Sequence, residues 1–160
     1  MSRLKMNVRT VGPRGVERPS IPDDLPKGRG SEVCLKILQC LNQKRVYLDR
    51  NLSLAKFSSI VGTNTTYLSN AVNDYFGCNL KSLINWYRVQ YAKMMLDKRI
   101  YRLKDIPYIC GFSSKSTFYV AFKRCEGMTP NQYLSTRKED SERINSNDNN
   151  NILKSLNLKF

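Results

Sequence analysis

What most constrains this chain of 160 residues is a pattern that it spells twice. Leu54, Phe57, Val61 and Gly62 recur at identical spacing as Leu103, Ile106, Cys110 and Gly111. After the glycine the second copy runs one residue longer. The register then recovers, with Leu68, Val72 and Gly77 matching Phe118, Phe122 and Gly127. A period of about fifty residues in a short chain marks a duplicated structural unit. Spacings of three and four place the apolar residues on one helix face. Each unit therefore reads as two short helices that cross steeply at a sharp turn, where glycine accepts positive φ without strain.

The rest of the middle is helical as well. Val33, Ile37, Leu38 and Leu41 mark an amphipathic first helix. Residues 48–52 form a connector, closed by Ser53 as the N-cap of a helix carrying Leu54, Phe57, Ile60 and Val61. The next helix turns Tyr67, Leu68 and Val72 inward and ends at Phe76 and Gly77. A long helix over about residues 80–97 joins the two units. Its stripe of Leu80, Leu83, Ile84, Tyr87, Tyr91 and Met94 is core rather than a cofactor site. In the second unit, Pro107 removes an amide and crowds the preceding turn, so its first helix is expected to start late or kink. Thr129 and Pro130 open a last helix that buries Tyr133 and Leu134. The predicted fold is all-α: two helix-turn-helix subdomains, homeodomain-like three-helix lobes, joined by a long connecting helix, with about seven helices in all.

The ends differ. Residues 1–30 interleave Pro13, Pro19, Pro22 and Pro26 with Gly12, Gly15, Gly28 and Gly30, and read as a flexible basic arm or linker. Residues 31–138 make up the folded domain, and residues 139–160 a polar, Asn-rich tail. Charge follows this division. The arm carries 7 basic and 3 acidic groups, the domain 17 and 6, the tail 3 and 4. The excess of +11 thus lies on the part that folds, a surface suited to a polyanion such as nucleic acid or an anionic membrane.

Enzyme chemistry finds little support. The chain has no histidine, so the usual base of acid–base and nucleophilic triads is missing. Cys34, Cys40, Cys78, Cys110 and Cys125 are scattered without a C-x-x-C pair, which argues against a zinc site. Four of the five fall within or beside apolar helical patterns, where a free thiol packs as a small hydrophobe, and a reduced compartment fits best. No Gly-rich phosphate loop or carboxylate pair is present. The reading carries no catalytic residue, no metal, no cofactor and no small-molecule ligand. A continuous apolar run that could serve as signal peptide or membrane span is also missing from the N-terminus. The expected setting is the bacterial cytoplasm, in association with the nucleoid.

In a helix-turn-helix the second helix projects one face into the major groove. Here those faces are Thr65, Thr66, Ser69, Asn70 and Asn73 in the first unit, and Lys115, Ser116, Tyr119, Val120 and Lys123 in the second. No acid interrupts them before Asp74. Asn pairs bidentately with adenine, Ser and Thr bond several base edges, and Val can touch the thymine methyl. Lys56, Lys104, Lys123 and Arg124 are placed for phosphates, which position a protein but read no sequence.

The run Leu54-x-x-Phe57-x-x-x-Val61-Gly62-x-Asn64-x-x-Tyr67-Leu68-Ser69 resembles the first motif of the AraC/XylS family. Tyr87-Arg88-Val89-x-x-Ala92-x-x-Met95-Leu96 is similar to that family's connecting helix. So are Ile106-x-x-x-Cys110-Gly111-Phe112-x-Ser114-x-Ser116-x-Phe118-Tyr119-x-x-Phe122-Lys123 and the closing Gly127-Met128-Thr129-Pro130-x-x-Tyr133. The resemblance covers about residues 33–137. It implies a seven-helix domain whose third and sixth helices, about residues 65–76 and 114–125, enter adjacent major-groove segments of double-stranded DNA. By position it makes Thr66, Ser69, Asn70, Lys115, Ser116, Tyr119 and Val120 base readers, and RNA polymerase a partner. Ser58 and Pro107 stand where the family usually has alanine, and neither recognition face has an arginine to grip guanine. Three readings follow: a sequence-specific transcription regulator, an architectural binder indifferent to sequence, or a module that pairs with a protein partner. Control by abundance, by a partner, or by a sensor elsewhere in a longer protein is equally open.

Overall fold

A computed structural model describes residues 11–12, 16–17, 19 and 31–137. Seven helices build the domain: α1 (Ser31–Asn42), α2 (Leu54–Val61), α3 (Thr65–Phe76), α4 (Leu80–Lys98), α5 (Ile106–Ile109), α6 (Lys115–Glu126) and α7, which starts at Pro130 and reaches residue 137. A 3-10 turn, Val46–Leu48, links α1 to α2. The arm adds one feature that the sequence patterns do not announce. Strands β1 (Val11–Gly12) and β2 (Val16–Glu17) pair antiparallel, Val11 opposite Glu17, and β2 lies beside α6. The polar tail lies outside the described residues.

Helix starts are set by local chemistry. Ser53 Oγ accepts from the Lys56 amide at 3.1 Å, Asn64 Oδ1 from Tyr67 at 2.7 Å, Asn79 Oδ1 from Ser82 at 2.8 Å, and Ser114 Oγ from Thr117 at 3.2 Å. At α7, Thr129 Oγ1 accepts from the Gln132 amide while Gln132 Oε1 accepts from the Thr129 amide, a reciprocal capping box. Each cap satisfies an amide that the first helical turn leaves without a partner. Pro107 acts as expected: α5 has 4 residues, against 8 in its counterpart α2.

Two cores share α4. The first gathers Cys34, Ile37, Leu41, Tyr47, Phe57, Leu68, Val72 and Phe76 around Leu83, Ile84 and Tyr87. The second gathers Ile106, Phe112, Phe118, Phe122 and Tyr133 around Val89, Ala92, Met95 and Leu96. Trp86 and Tyr91 pack against both. The expected stripe along α4 is therefore corrected. Met94 is exposed, and Val89, Ala92, Met95 and Leu96 are buried instead. A single stripe assumes one partner surface, whereas α4 meets one lobe with its first half and the other lobe on a rotated face. Tyr67 is 42% exposed rather than inward. It stands one residue, about 100°, off the Leu68, Val72 and Phe76 stripe. Leu54 and Ile60 likewise lie at the surface of α2, whose buried residues are Phe57, Ser58 and Val61. Ser58 satisfies its hydroxyl by donating to the Ala55 carbonyl at 2.9 Å.

Candidate nucleic-acid interface

α3 and α6 bury the same positions fifty residues apart. Leu68, Ala71 and Val72 are matched by Phe118, Ala121 and Phe122. An equal inward register fixes an equal outward register, so Thr66, Ser69, Asn70 and Asn73 take the places of Ser116, Tyr119, Val120 and Lys123. Thr65, Thr66, Asn70, Asn73, Lys115, Ser116 and Val120 are exposed, and Ser69 and Tyr119 half-buried. All nine predicted base readers thus lie on outward or flanking faces. Their helices begin at residues 65 and 115, with Ser114 serving as cap rather than as a helical residue.

The two faces differ in chemistry. That of α3 is neutral, made of hydroxyls and carboxamides. On α6, Val120 is an aliphatic side chain left 65% exposed. Tyr119 leans on the Phe118 ring, centroids 5.7 Å apart, and Lys115 Nζ lies 5.5 Å from the Tyr119 ring. That edge-to-face contact draws Tyr119 toward the second core, and the lysine lies along the helix flank.

Of the predicted phosphate residues, Lys104, Lys123 and Arg124 are exposed. Lys56 is engaged elsewhere: its ammonium donates to Asp49 Oδ2 at 2.5 Å. That bond, with the Asn51 amide, holds the Asp49 carboxyl below its usual pKa. Behind the interface, Glu126 near the end of α6 accepts from Lys93 at 2.8 Å and from Gln90 at 3.0 Å, both on α4. The Tyr133 hydroxyl on α7 donates to Asp97 of α4 at 3.1 Å. These bonds tie α6 and α7 to the connecting helix.

Sequence patterns assign no role to the junction between the lobes. Arg88 of α4 donates from Nε to the Tyr47 carbonyl at 2.7 Å and from Nη2 to the Asp49 carbonyl at 2.9 Å. Its guanidinium carbon lies 5.5 Å from the Phe112 ring centroid. Beside it, Gly111 has φ +84°, and a Cβ there would meet the Tyr47 and Leu48 carbonyl oxygens at 2.7 Å. Arg50 reaches across to Tyr108, 5.6 Å from its ring centre. In the sequence Arg88 stands out only as part of the connecting-helix motif. Nothing local reveals carbonyl partners some forty residues away.

Two equivalent helix-turn-helix units on one connecting helix define a double helix-turn-helix protein. A helix-turn-helix domain family matches residues 57–136, half of the chain. The chain belongs to this family, and its fold is that of AraC-type DNA-binding domains. Among relatives, an uncharacterized HTH-type transcriptional regulator of Staphylococcus aureus strain MSSA476 is 29% identical over 115 residues, 72% of this chain. The chain spans 15% of that relative's length. The probable transcriptional regulator LumQ of Photobacterium leiognathi is 29% identical over 54% of this chain and 35% of its own. In fold, the chain is similar to the C-terminal domain of AraT, a response regulator from Geobacillus stearothermophilus. The TM-score is 0.61 at 23% identity, covering 68% of this chain and 88% of that one. Among the described residues no helix is long and apolar enough to cross a membrane.

Proposed function

We propose that the protein is a sequence-specific regulator of transcription that reads double-stranded DNA with α3 and α6 laid into successive major-groove segments, roughly 34 Å apart. The observation that carries this reading is the equal register of the two helices: the same inward positions are buried, so two acid-free faces are presented. Asn70 and Asn73 read adenine, Lys115 reads guanine, and Thr65, Thr66, Ser69, Ser116 and Tyr119 bond base edges. Val120 meets a thymine methyl. Lys104, Lys123 and Arg124 hold phosphates, and Lys56 does so when it leaves Asp49. Residues 1–30 act as a basic arm, residues 139–160 as a polar tail. The role is binding without catalysis, in a bacterial cytoplasm, with RNA polymerase as the protein partner.

Selection from a random duplex library at physiological salt tests this. Two enriched short elements about one helical turn apart are expected. Replacing Asn70 or Lys115 with alanine should then cost about 1–3 kcal/mol on the selected site and little on random DNA. Retained binding without enrichment, or equal losses on both DNAs, refutes specific readout and leaves an architectural binder, the reading favoured by high charge without a recognition arginine.

A further inference from the structure

We propose that Arg88 is a positioning residue that fixes the offset between the two recognition helices and so sets the spacing of DNA elements that the protein accepts. This rests on the two-helix reading above. α4 passes from one core to the other, and the residues it buries in each core seat each lobe on its own face of the helix. The play that this packing leaves is taken up where the lobes touch. The 3-10 turn of the first lobe presents the Tyr47 and Asp49 carbonyls, and Arg88 binds both, at 2.7 and 2.9 Å. The same guanidinium lies over the ring of Phe112, which directly follows the turn glycine of the second helix-turn-helix. Arg88 thus touches the second lobe one residue beyond the turn that aims α6.

The second observation is the fit around it. The space between Gly111 and the carbonyls of Tyr47 and Leu48 is too small for one methyl group. The contact cannot slide without opening, because a planar fork bonded to two carbonyls admits one geometry. A lysine has one ammonium and cannot hold both carbonyls in that way. Partial burial strengthens the restraint: with Arg88 half-buried, its bonds to carbonyls face less competition from water.

One base pair inserted between two DNA elements moves the second by about 3.4 Å and turns it by roughly 35°. A rigid reader cannot follow, while lobes free to turn about α4 can. The test uses the full chain and duplexes carrying its two selected elements at native spacing, with one pair inserted and with one removed. The wild type should lose affinity on the order of 10²-fold on the altered spacings, because one lobe loses its element. Arg88→Met should bind the native spacing more weakly and show a spacing penalty of about threefold or less. Arg88→Lys should fall between. Circular dichroism identifies a variant that fails to fold; if Arg88→Met is one, Arg88→Lys alone decides.

Uniform loss on all three duplexes, with the wild-type spacing penalty intact, would show that Arg88 serves stability alone and overturns the proposal. A wild type that binds the selected elements with no spacing penalty overturns it as well, and leaves base reading by each lobe untouched. No selected element at all refutes the two-helix reading itself.

Discussion

Replacing Gly111 with alanine should destabilise the protein far more than the same change at Gly62. Both glycines close the turn of a helix-turn-helix, at φ +84° and +79°. Left-handed backbone costs an L-residue about 1–2 kcal/mol, and both variants incur that cost. They differ in surroundings. A Cβ at Gly62 meets nothing within 4 Å, whereas at Gly111 it meets two carbonyl oxygens at 2.7 Å and the Leu48 carbonyl carbon at 2.9 Å. These are backbone atoms in a turn that Arg88 already holds, so they cannot rotate away as a side chain tip would. Forcing a methyl into such a space costs about 1–3 kcal/mol more. The expected losses are therefore about 1–2 kcal/mol for Gly62→Ala and about 2–5 kcal/mol for Gly111→Ala. In a domain of this size each kcal/mol lowers the melting temperature by about 4 °C or somewhat more. Urea and thermal unfolding of the two variants beside the wild type give the comparison directly. Equal losses at both positions would falsify the claim that the second glycine is held by contact between lobes as well as by its turn.

Other outcomes follow from the same geometry. Changing thymine to deoxyuridine within the second selected element should weaken binding about fourfold, the worth of one buried methyl. Val120→Ala should erase that difference; a penalty that survives the substitution removes Val120 as the methyl reader. Lys123→Ala should weaken binding to all sequences alike and lower the salt slope by about 1, and a sequence-dependent loss would reassign it to base contact. Cys110 is fully buried, and burial pushes its thiol up to about 12 from an ordinary 9.0. Its neutral form is favoured in the fold, so its contribution to stability holds below pH 9 and is lost as pH rises from there toward 12. Iodoacetamide at pH 8 should spare Cys110 and modify the half-buried Cys78. Equal labelling of the two in the folded protein contradicts that burial.

The repeated spacing around Gly62 and Gly111 makes the two units legible in the sequence itself, because a helix face needs only one period to declare itself. Ser53, Thr129 and Pro107 are legible for the same reason: capping and ring closure act within four residues. Sequence patterns mislead where a residue answers to something distant. Met94 has helical spacing to Tyr91 and Tyr87, yet α4 changes partners midway and leaves it outside. The ring of Tyr67 suggests an inward place, although the stripe that matters begins at Leu68. The outward faces of α3 and α6 follow as what the apolar stripe leaves over. Arg88 does not, since its partners are carbonyls, which every residue has. Gly111 is legible as a turn and illegible as a close approach.

The chain has a single tryptophan, Trp86, packed against the first core and the second. Its indole therefore senses the seam rather than either lobe. Emission from unlabelled protein becomes a gauge of hinge angle: a shift on adding DNA reports that the lobes have re-seated about α4, and constant emission during tight binding reports a body that docks without bending.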